Sequence, residues 1–287
     1  MMNSSQETIH IVGAGLAGSE CAYQLALKGH SVVLYEMRNQ TLTPAHKTAD
    51  FAELVCSNSF GSQTDYSASG QLKWEAEQLG SLILRAAREA RVPAGMSLSV
   101  DRKVFSEFIT RKLREMPNVK IVNEIVQNLE DIPRPAIIAT GPLTHDPLAK
   151  SLRSHFGNEF LYFFDAIAPI IDADSIDEEI TWKGDRFDQG TGDYINCGMD
   201  KEQYYNFAHE IMKARKIESK EFEKTPYFEG CMPIEVMFER GLETPRFGPM
   251  SFKGLKHPRL DKRYYAVVQL RQDNKEGTAY NMVGFQT

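Results

Sequence analysis

The sequence predicts an α/β fold: a parallel-sheet first half followed by a mostly antiparallel α+β second part. Three observations carry this. Ile9–Val12 is a short apolar run, and Gly13, Gly15 and Gly18 follow it directly as G-x-G-x-x-G. A helix-length stretch then leads to a second apolar run, Val32, Val33 and Leu34, which Glu36 closes. Beyond about Asp146 the long helical spacing gives way to short, aromatic-rich runs.

The first two observations define one unit. Strands buried on both faces read as continuous apolar runs rather than alternating ones. Gly13 permits a tight turn, Gly15 lets the backbone approach a pyrophosphate, and Gly18 lets the next helix sit close to the sheet. The free N–H groups and the dipole at that helix start favour a phosphate. Ala22 and Ala26 continue a small-residue face, and Gly29 stands where a helix C-terminus wants a left-handed residue. Glu36 lies eighteen residues after Gly18, where a carboxylate accepts hydrogen bonds from a ribose diol. A Gly-rich turn in an ordinary α/β domain is the alternative, and the complete strand–turn–helix–strand–acid order argues against it. The pattern is that of a Rossmann-like dinucleotide-binding domain.

The remaining elements follow in order. Residues 37–50 are polar and read as a loop over the nucleotide. Cys56, Ser57, Asn58 and Ser59 form a small polar cluster of the kind found at turns or helix starts. Residues 72–91 have helical spacing, with Leu72, Ala76, Leu79, Leu82, Ile83, Ala86 and Ala90 on one face, and Pro93 and Gly95 beyond the end. Residues 97–100 read as a strand. Asp101 is a plausible N-cap for a helix over 104–116 with Phe105, Phe108, Ile109 and Leu113 inward. Residues 119–122 and 136–139 read as strands, the second followed by Thr140, Gly141 and Pro142. In the later part, 160–164, 167–172, 194–197 and 264–270 read as strands and 202–216 as a helix. The expected domains are 1–145 and 146–287.

Composition excludes several classes. The 287 residues carry a net charge of −6 and are 42% hydrophobic and 25% charged, as in soluble globular proteins. No apolar run has the length of a membrane span, and residues 1–8 have no apolar signal core, so a cytoplasmic protein is expected. Cys21, Cys56, Cys197 and Cys231 are scattered, with no C-x-x-C pair and no metal-ligand spacing. No metal is expected. Two basic stretches stand out against the acidic total, one from Arg85 to Arg114 and one from Arg240 to Arg263. They read either as solvated faces or as an RNA-facing surface.

The residues then point to a family. The stretch from Ile11 to Glu20 resembles the opening of the folate- and FAD-dependent tRNA (uracil-5-)-methyltransferases, the TrmFO family. Ala52-Glu53-Leu54-Val55-Cys56-Ser57-Asn58-Ser59, Phe228-Glu229-Gly230-Cys231-Met232-Pro233-Ile234-Glu235 and the run from Ala266 to Asn274 resemble further family segments in consistent order. Val92-Pro93-Ala94-Gly95 and the run from Asp165 to Asp172 do so as well. Family members continue past the segment that matches Asn281 to Thr287, so a shortened chain is an expectation here.

The resemblance implies transfer of a one-carbon unit from 5,10-methylenetetrahydrofolate to C5 of the T-loop uridine of tRNA. FAD supplies the electrons and NAD(P)H regenerates it. Uracil C5 is a poor nucleophile until a group adds at C6, and a thiolate is well suited to that addition. Cys231 is the candidate for it. Cys56 is a candidate for proton transfer, for guarding the flavin, or for the nucleophile's role itself. The FAD-binding set is Gly13, Ala14, Gly15, Leu16, Ala17 and Gly18, with Glu36, Met37 and Arg38, and with Thr140 and Gly141 as a second contact. Arg271, Gln272, Asp273 and Asn274 form a polar group that could hold folate, RNA or flavin, with plain surface polarity an equal alternative. Cys21 and Cys197 read as structural, and His46 has no assigned role. The competing readings are a ribosomal RNA uracil methyltransferase, a flavin oxidoreductase for a small metabolite, and a truncated, non-catalytic FAD- or RNA-binding remnant.

Overall fold

The apolar runs and helical stretches fold in this order: β1 (Ile9–Val12), α1 (Leu16–Leu27), β2 (Val32–Tyr35), β3 (Ser59–Ser62), α2 (Ala68–Gln78), α3 (Leu82–Glu89), β4 (Arg91–Val92), β5 (Ser97–Val100), α4 (Arg102–Arg114), β6 (Val119–Val122), β7 (Ala136–Ile138), α5 (Asp146–Phe156), β8 (Ile170–Asp172), β9 (Thr181–Lys183), β10 (Ile195–Met199), α6 (Lys201–Lys213), α7 (Ile234–Arg240), β11 (Ala266–Gln272) and β12 (Ala279–Met282). This computed structural model describes residues 7–157, 168–188, 190–215 and 232–286. The expected strand over 160–164 and Cys231 lie outside the described residues.

Two units interleave along the chain. Among the described residues, the first takes 7–54, 73–89 and 102–157; the second takes 55–72, 90–101 and the residues from 168 onward. The expected division at 145/146 therefore differs from the observed one. Two short excursions, 55–72 and 90–101, belong with the later part of the chain, because β3, β4 and β5 pair with one another rather than with the parallel sheet. Conversely, α5 beyond residue 145 stays with the first unit, where Leu148 and Leu152 pack with Val12 and Ile132.

The first unit is built on a four-stranded parallel sheet in the order β6-β2-β1-β7. Ile11 of the central strand pairs in register with Leu34 on one side and Ile137 on the other. Ile11 and Leu34 are fully buried, as two covered faces require. Helix α1 buries its small face, Gly18, Ser19, Ala22 and Ala26. The helix expected over 72–91 is two helices, α2 and α3, separated at Gly80, whose φ is +72°. The positive φ stops the first helix, and Leu72 and Leu79 are left exposed rather than on a buried face. Glu20 of α1 then opens α3: its carboxylate accepts the Leu82 and Ile83 N–H groups at 3.2 and 2.9 Å and the Ser81 hydroxyl at 2.9 Å. Helix α4 buries Phe105, Ile109 and Leu113 as its spacing predicts, while Phe108 is half-buried under the guanidinium groups of Arg85 and Arg111.

The second unit is antiparallel. It holds a five-stranded sheet in the order β8-β12-β11-β10-β9 and a three-stranded sheet in the order β3-β5-β4. Its core gathers Ile195, Tyr204, Ile234, Phe238, Val268 and Phe285 from both sequence-distant strands and helices α6 and α7. Asp200 caps α6 by accepting the Gln203 N–H at 2.9 Å, and the Gln203 side chain accepts the Asp200 N–H in return. Among the described residues no helix is long and apolar enough to cross a membrane.

Candidate functional site

The first unit carries a cleft at the C-terminal end of β1. Gly13 turns the chain with φ +98°, and a Cβ there would stand 2.6 Å from the Ala139 carbonyl oxygen. A Cβ on Gly18 would stand 1.8 Å from the Gly13 oxygen, so only glycine lets α1 close on the turn. A Cβ on Gly15 would meet nothing within 4 Å. Gly15 is the N-cap of α1, no side chain caps the helix, and its first turn holds no acidic residue. The exposed amides and the helix dipole therefore face open space beside the turn, the arrangement that takes a phosphate group.

Glu36 closes the other side. The side chain is buried, and Oε2 accepts the Ala14 N–H at 3.0 Å and Arg38 Nη2 at 2.9 Å. Oε1 accepts the Arg38 N–H at 2.9 Å. Burial alone would raise the Glu36 pKa; the Arg38 hydrogen bond and charge, with the two backbone donors, outweigh it and hold the carboxyl below its ordinary value. Three of the four lone-pair positions of this carboxylate are thus engaged. One remains on Oε1 for a hydroxyl donor, and a grip on both oxygens of a diol requires Arg38 to release Oε2. Arg38 Nη1 is buried with no hydrogen-bond partner among the described residues, 3.9 Å from Glu53 Oε2.

The third wall is the β7 end. Ala139 N–H donates to the Val12 carbonyl, and Thr140 and Thr144 share a hydroxyl hydrogen bond of 2.6 Å. Gly141 takes φ +67°. The cleft has about 560 Å³ of empty space, bounded by Gly13, Gly15, Glu36, Met37, Arg38 and Thr140 among others. The structure thus brings most of the expected cofactor set together. It adds Tyr35, Glu124 and His145, which the sequence did not single out. His145 Nδ1 is buried without a hydrogen-bond partner among the described residues, and Tyr35 bonds His10 Nδ1 at 3.0 Å. His46 also lines the cleft, beside Thr43. No local pattern marks these residues; only the strand order collects them.

Cys56 belongs to the second unit, whereas the expected division at 145/146 put it in the nucleotide-binding part. Its segment is held by a buried polar network. Arg271 Nε donates to Asn58 Oδ1 at 3.1 Å, and Nη2 donates to Ser57 Oγ at 3.0 Å and Asn281 Oδ1 at 3.1 Å. Asn58 Nδ2 donates to the carbonyls of Val100 and Gln272, both at 3.0 Å. Arg271 is a clamp on the Cys56 segment, so the polar run it begins is partly interior; Asn274 caps its own turn through Thr278 and Ala279. Cys21 is raised in pKa by burial and then by Glu20, and Cys197 is pushed up to about 11 by burial, as suits packed thiols.

The two basic stretches part company. In the first, Arg88 pairs with Glu77 at 2.7 Å, and Lys112 and Arg111 face Glu115. In the second, Lys253, Arg259, Lys262 and Arg263 line an open groove with Phe247, which is 85% exposed. Tyr264 stacks on Trp182 at 5.0 Å beneath Lys262, whose Nζ is 4.8 Å from the Tyr264 ring centre. Among the described residues no group of His, Cys, Asp and Glu is arranged to hold a metal ion.

The fold is that of an α/β protein with a Rossmann-like cleft in its first unit and a second, antiparallel unit. The chain matches the family model described as "Glucose inhibited division protein A" over residues 8–287 and belongs to that family. It is 68% identical over 288 residues to the methylenetetrahydrofolate–tRNA-(uracil-5-)-methyltransferase TrmFO of Bdellovibrio bacteriovorus, covering 100% of this chain and 66% of that protein. The TrmFO proteins of Aquifex aeolicus and Bacillus subtilis are each 50% identical, with 98% and 99% of this chain covered and 63% and 65% of theirs. The chain thus spans slightly less than two thirds of the length of these relatives. The resemblance read from its motifs is borne out at the level of the family. Two crystal forms of Aquifex aeolicus GidA share the fold, with TM-scores of 0.60 and 0.61 at 14% and 13% identity, covering 99% and 98% of this chain and 51% and 52% of theirs.

Proposed function

We propose that this chain provides the FAD-binding and substrate-handling parts of a folate-dependent tRNA (uracil-5-)-methyltransferase. The observation that carries the reading is the 68% identity to TrmFO of Bdellovibrio bacteriovorus across the whole chain. The cleft of the first unit supports it. Open space at Gly15, uncapped α1 amides and the acceptor position left on Glu36 Oε1 suit the pyrophosphate and ribose of a dinucleotide. In this reading Gly13, Ala14, Gly15, Leu16, Ala17 and Gly18 hold the pyrophosphate. Glu36, Met37 and Arg38 hold the adenosine end, and Thr140 and Gly141 supply a second contact. Bound FAD, reduced by NAD(P)H, supplies the two electrons that convert a transferred methylene to a methyl group.

The thiols do the rest. The Cys231 thiolate adds to C6 of the T-loop uridine, and the electron pair of the C5–C6 bond becomes available at C5. C5 then bonds to the one-carbon unit of 5,10-methylenetetrahydrofolate, with the folate nitrogen as leaving group. Loss of the C5 proton, with Cys56 the proposed acceptor, lets the second C–N bond to folate break and leaves a methylene on C5 while Cys231 stays on C6; the hydride equivalent that bound FAD would supply turns it into a methyl group, and departure of the Cys231 thiolate from C6 restores the ring. The groove of Lys253, Arg259, Lys262 and Arg263 supplies the charge that holds the tRNA backbone, and exposed Phe247 offers a face for a base.

Trapping tests this assignment. Flavin-loaded protein, extended to the length of its relatives if needed, is incubated with the folate and a T-loop RNA carrying 5-fluorouridine. A covalent adduct is expected on Cys231 and is lost in Cys231→Ser. An adduct on Cys56 exchanges the two roles, and the absence of any adduct rejects the thiol mechanism.

A further inference from the structure

Gln286 joins two segments that are far apart in sequence. Its backbone carbonyl accepts the Ile234 N–H at 2.7 Å, at the start of α7. Its side-chain Nε2 lies 3.3 Å from Cys56 Sγ. The neighbouring Phe285 is 1% exposed and sits in the same core as Ile234 and Phe238, so the residue before Gln286 is anchored as well. Gln286 Oε1 is buried with no hydrogen-bond partner among the described residues. An amide held this way has a donor aimed at sulfur and no local reason of its own to be interior.

We infer that Gln286 is a positioning residue for Cys56, its Nε2–H donating to Sγ and favouring the thiolate over the thiol. A hydrogen bond to the charged form of an acid stabilises that form, and the thiolate is the reactive species. The Cys56 backbone is fixed independently, its carbonyl accepting the Ala168 N–H at 3.3 Å. Among the described residues, the charged groups along the segment include Arg102, whose Nη1 donates to the Leu54 carbonyl at 2.6 Å, Arg271, which binds Ser57 Oγ, and Asp273, which accepts from Asn281 Nδ2 at 3.2 Å. Arg271 adds positive charge on the same side of the balance. The inference rests on the proposed function only for what Cys56 is used for; the state of its sulfur is a property of the chain itself.

The test is alkylation by iodoacetamide across a range of pH, followed peptide by peptide by mass spectrometry. Gln286→Glu removes the donor and adds a negative charge. It is expected to slow Cys56 alkylation at pH 7 by about tenfold and to move its pH midpoint up by about one unit. Gln286→Met keeps the shape without the donor, and a drop of roughly threefold is expected. Cys197 of β10, half-buried and with its thiol pushed up to about 11, is the internal control and stays slow while the fold is intact. If the charged variant exposes Cys197, Gln286→Met decides alone. Unchanged Cys56 rates with Cys197 still protected overturn the inference. So does a faster Cys56, which would mean that the thiol donates to the amide oxygen. Neither result bears on whether methyl transfer occurs, so failure here and failure of the proposed reaction are read separately.

Discussion

The Glu36 carboxylate accepts the Ala14 N–H at 3.0 Å, so the acid at the end of the second strand is bonded directly to the Gly-rich turn. The same carboxylate holds Arg38 through its guanidinium and its backbone N–H. Glu36 therefore shapes the cleft before any ligand is present. Replacing it by Ala removes the nearer of the two carboxylates that face the buried Arg38 guanidinium and leaves Glu53 Oε2 at 3.9 Å, at a cost of about 1.5–3 kcal/mol. Lost hydrogen bonds to a charged acceptor weaken cofactor binding by a further ~1.5–3 kcal/mol. Urea denaturation and flavin titration of Glu36→Ala check the two effects separately.

The pH dependence of Glu36 has a definite sign. Its carboxyl is held below the ordinary value of 4.5, so the folded state binds the proton less readily than the unfolded chain. The stabilisation it gives is complete above about pH 4.5 and is lost as the pH falls through the lower, folded value. Acid denaturation of Glu36→Gln is therefore expected to be shallower than that of the parent in this range. Parallel acid limbs would show that Glu36 contributes nothing to the slope.

Arg271 makes its hydrogen bonds to Asn58, Ser57 and Asn281 inside the second unit. Arg271→Met fills a similar volume but leaves buried acceptors unpaired, at about 1–3 kcal/mol for each group that water cannot reach. Thermal unfolding should drop by several degrees, and Cys56 should alkylate with altered kinetics because its segment loses the clamp. A variant that melts with the parent would show the network to be dispensable.

The groove in the second unit predicts a salt effect. Charge reversal of Arg259, Lys262 and Arg263 should reduce the slope of log affinity against log salt by about 0.7 for each lost phosphate contact to single-stranded RNA. Phe247→Ala should weaken binding by ~1–3 kcal/mol with the slope unchanged, since stacking releases no counterions. Filter binding of a T-loop RNA at several salt concentrations separates the two. The Arg85 to Arg114 stretch should matter less, because Arg88, Arg111 and Lys112 already face Glu77 and Glu115.

The β1–α1–β2 unit was legible because its signals are local: an apolar run, three glycines and an acid within thirty residues. The parallel sheet and the antiparallel character of the later part follow from run length and spacing in the same way. The break at Gly80 was not legible, since apolar spacing runs through it and the cap on α3 comes from Glu20, some sixty residues earlier. That Cys56 belongs to the second unit is not legible, because the chain leaves the first unit twice and returns. The Gln286 contact to Cys56 spans 230 residues, and no pattern within a window reports it. The two basic stretches read alike in sequence, and only the structure shows which bases meet acids: Arg88, Arg111 and Lys112 in the first, Arg246 and Lys256 in the second.

Carbon transfer to RNA is read by following an isotope label. The flavin-loaded protein, extended to the length of its relatives, is supplied with NAD(P)H, 5,10-methylenetetrahydrofolate labelled in its one-carbon unit, and a T-loop RNA. Label is expected in the methyl group of 5-methyluridine, abolished in Cys231→Ser while flavin content and fold are retained. Label absent from the RNA although flavin is bound and reduced, or transfer undiminished in the serine variant, would contradict it.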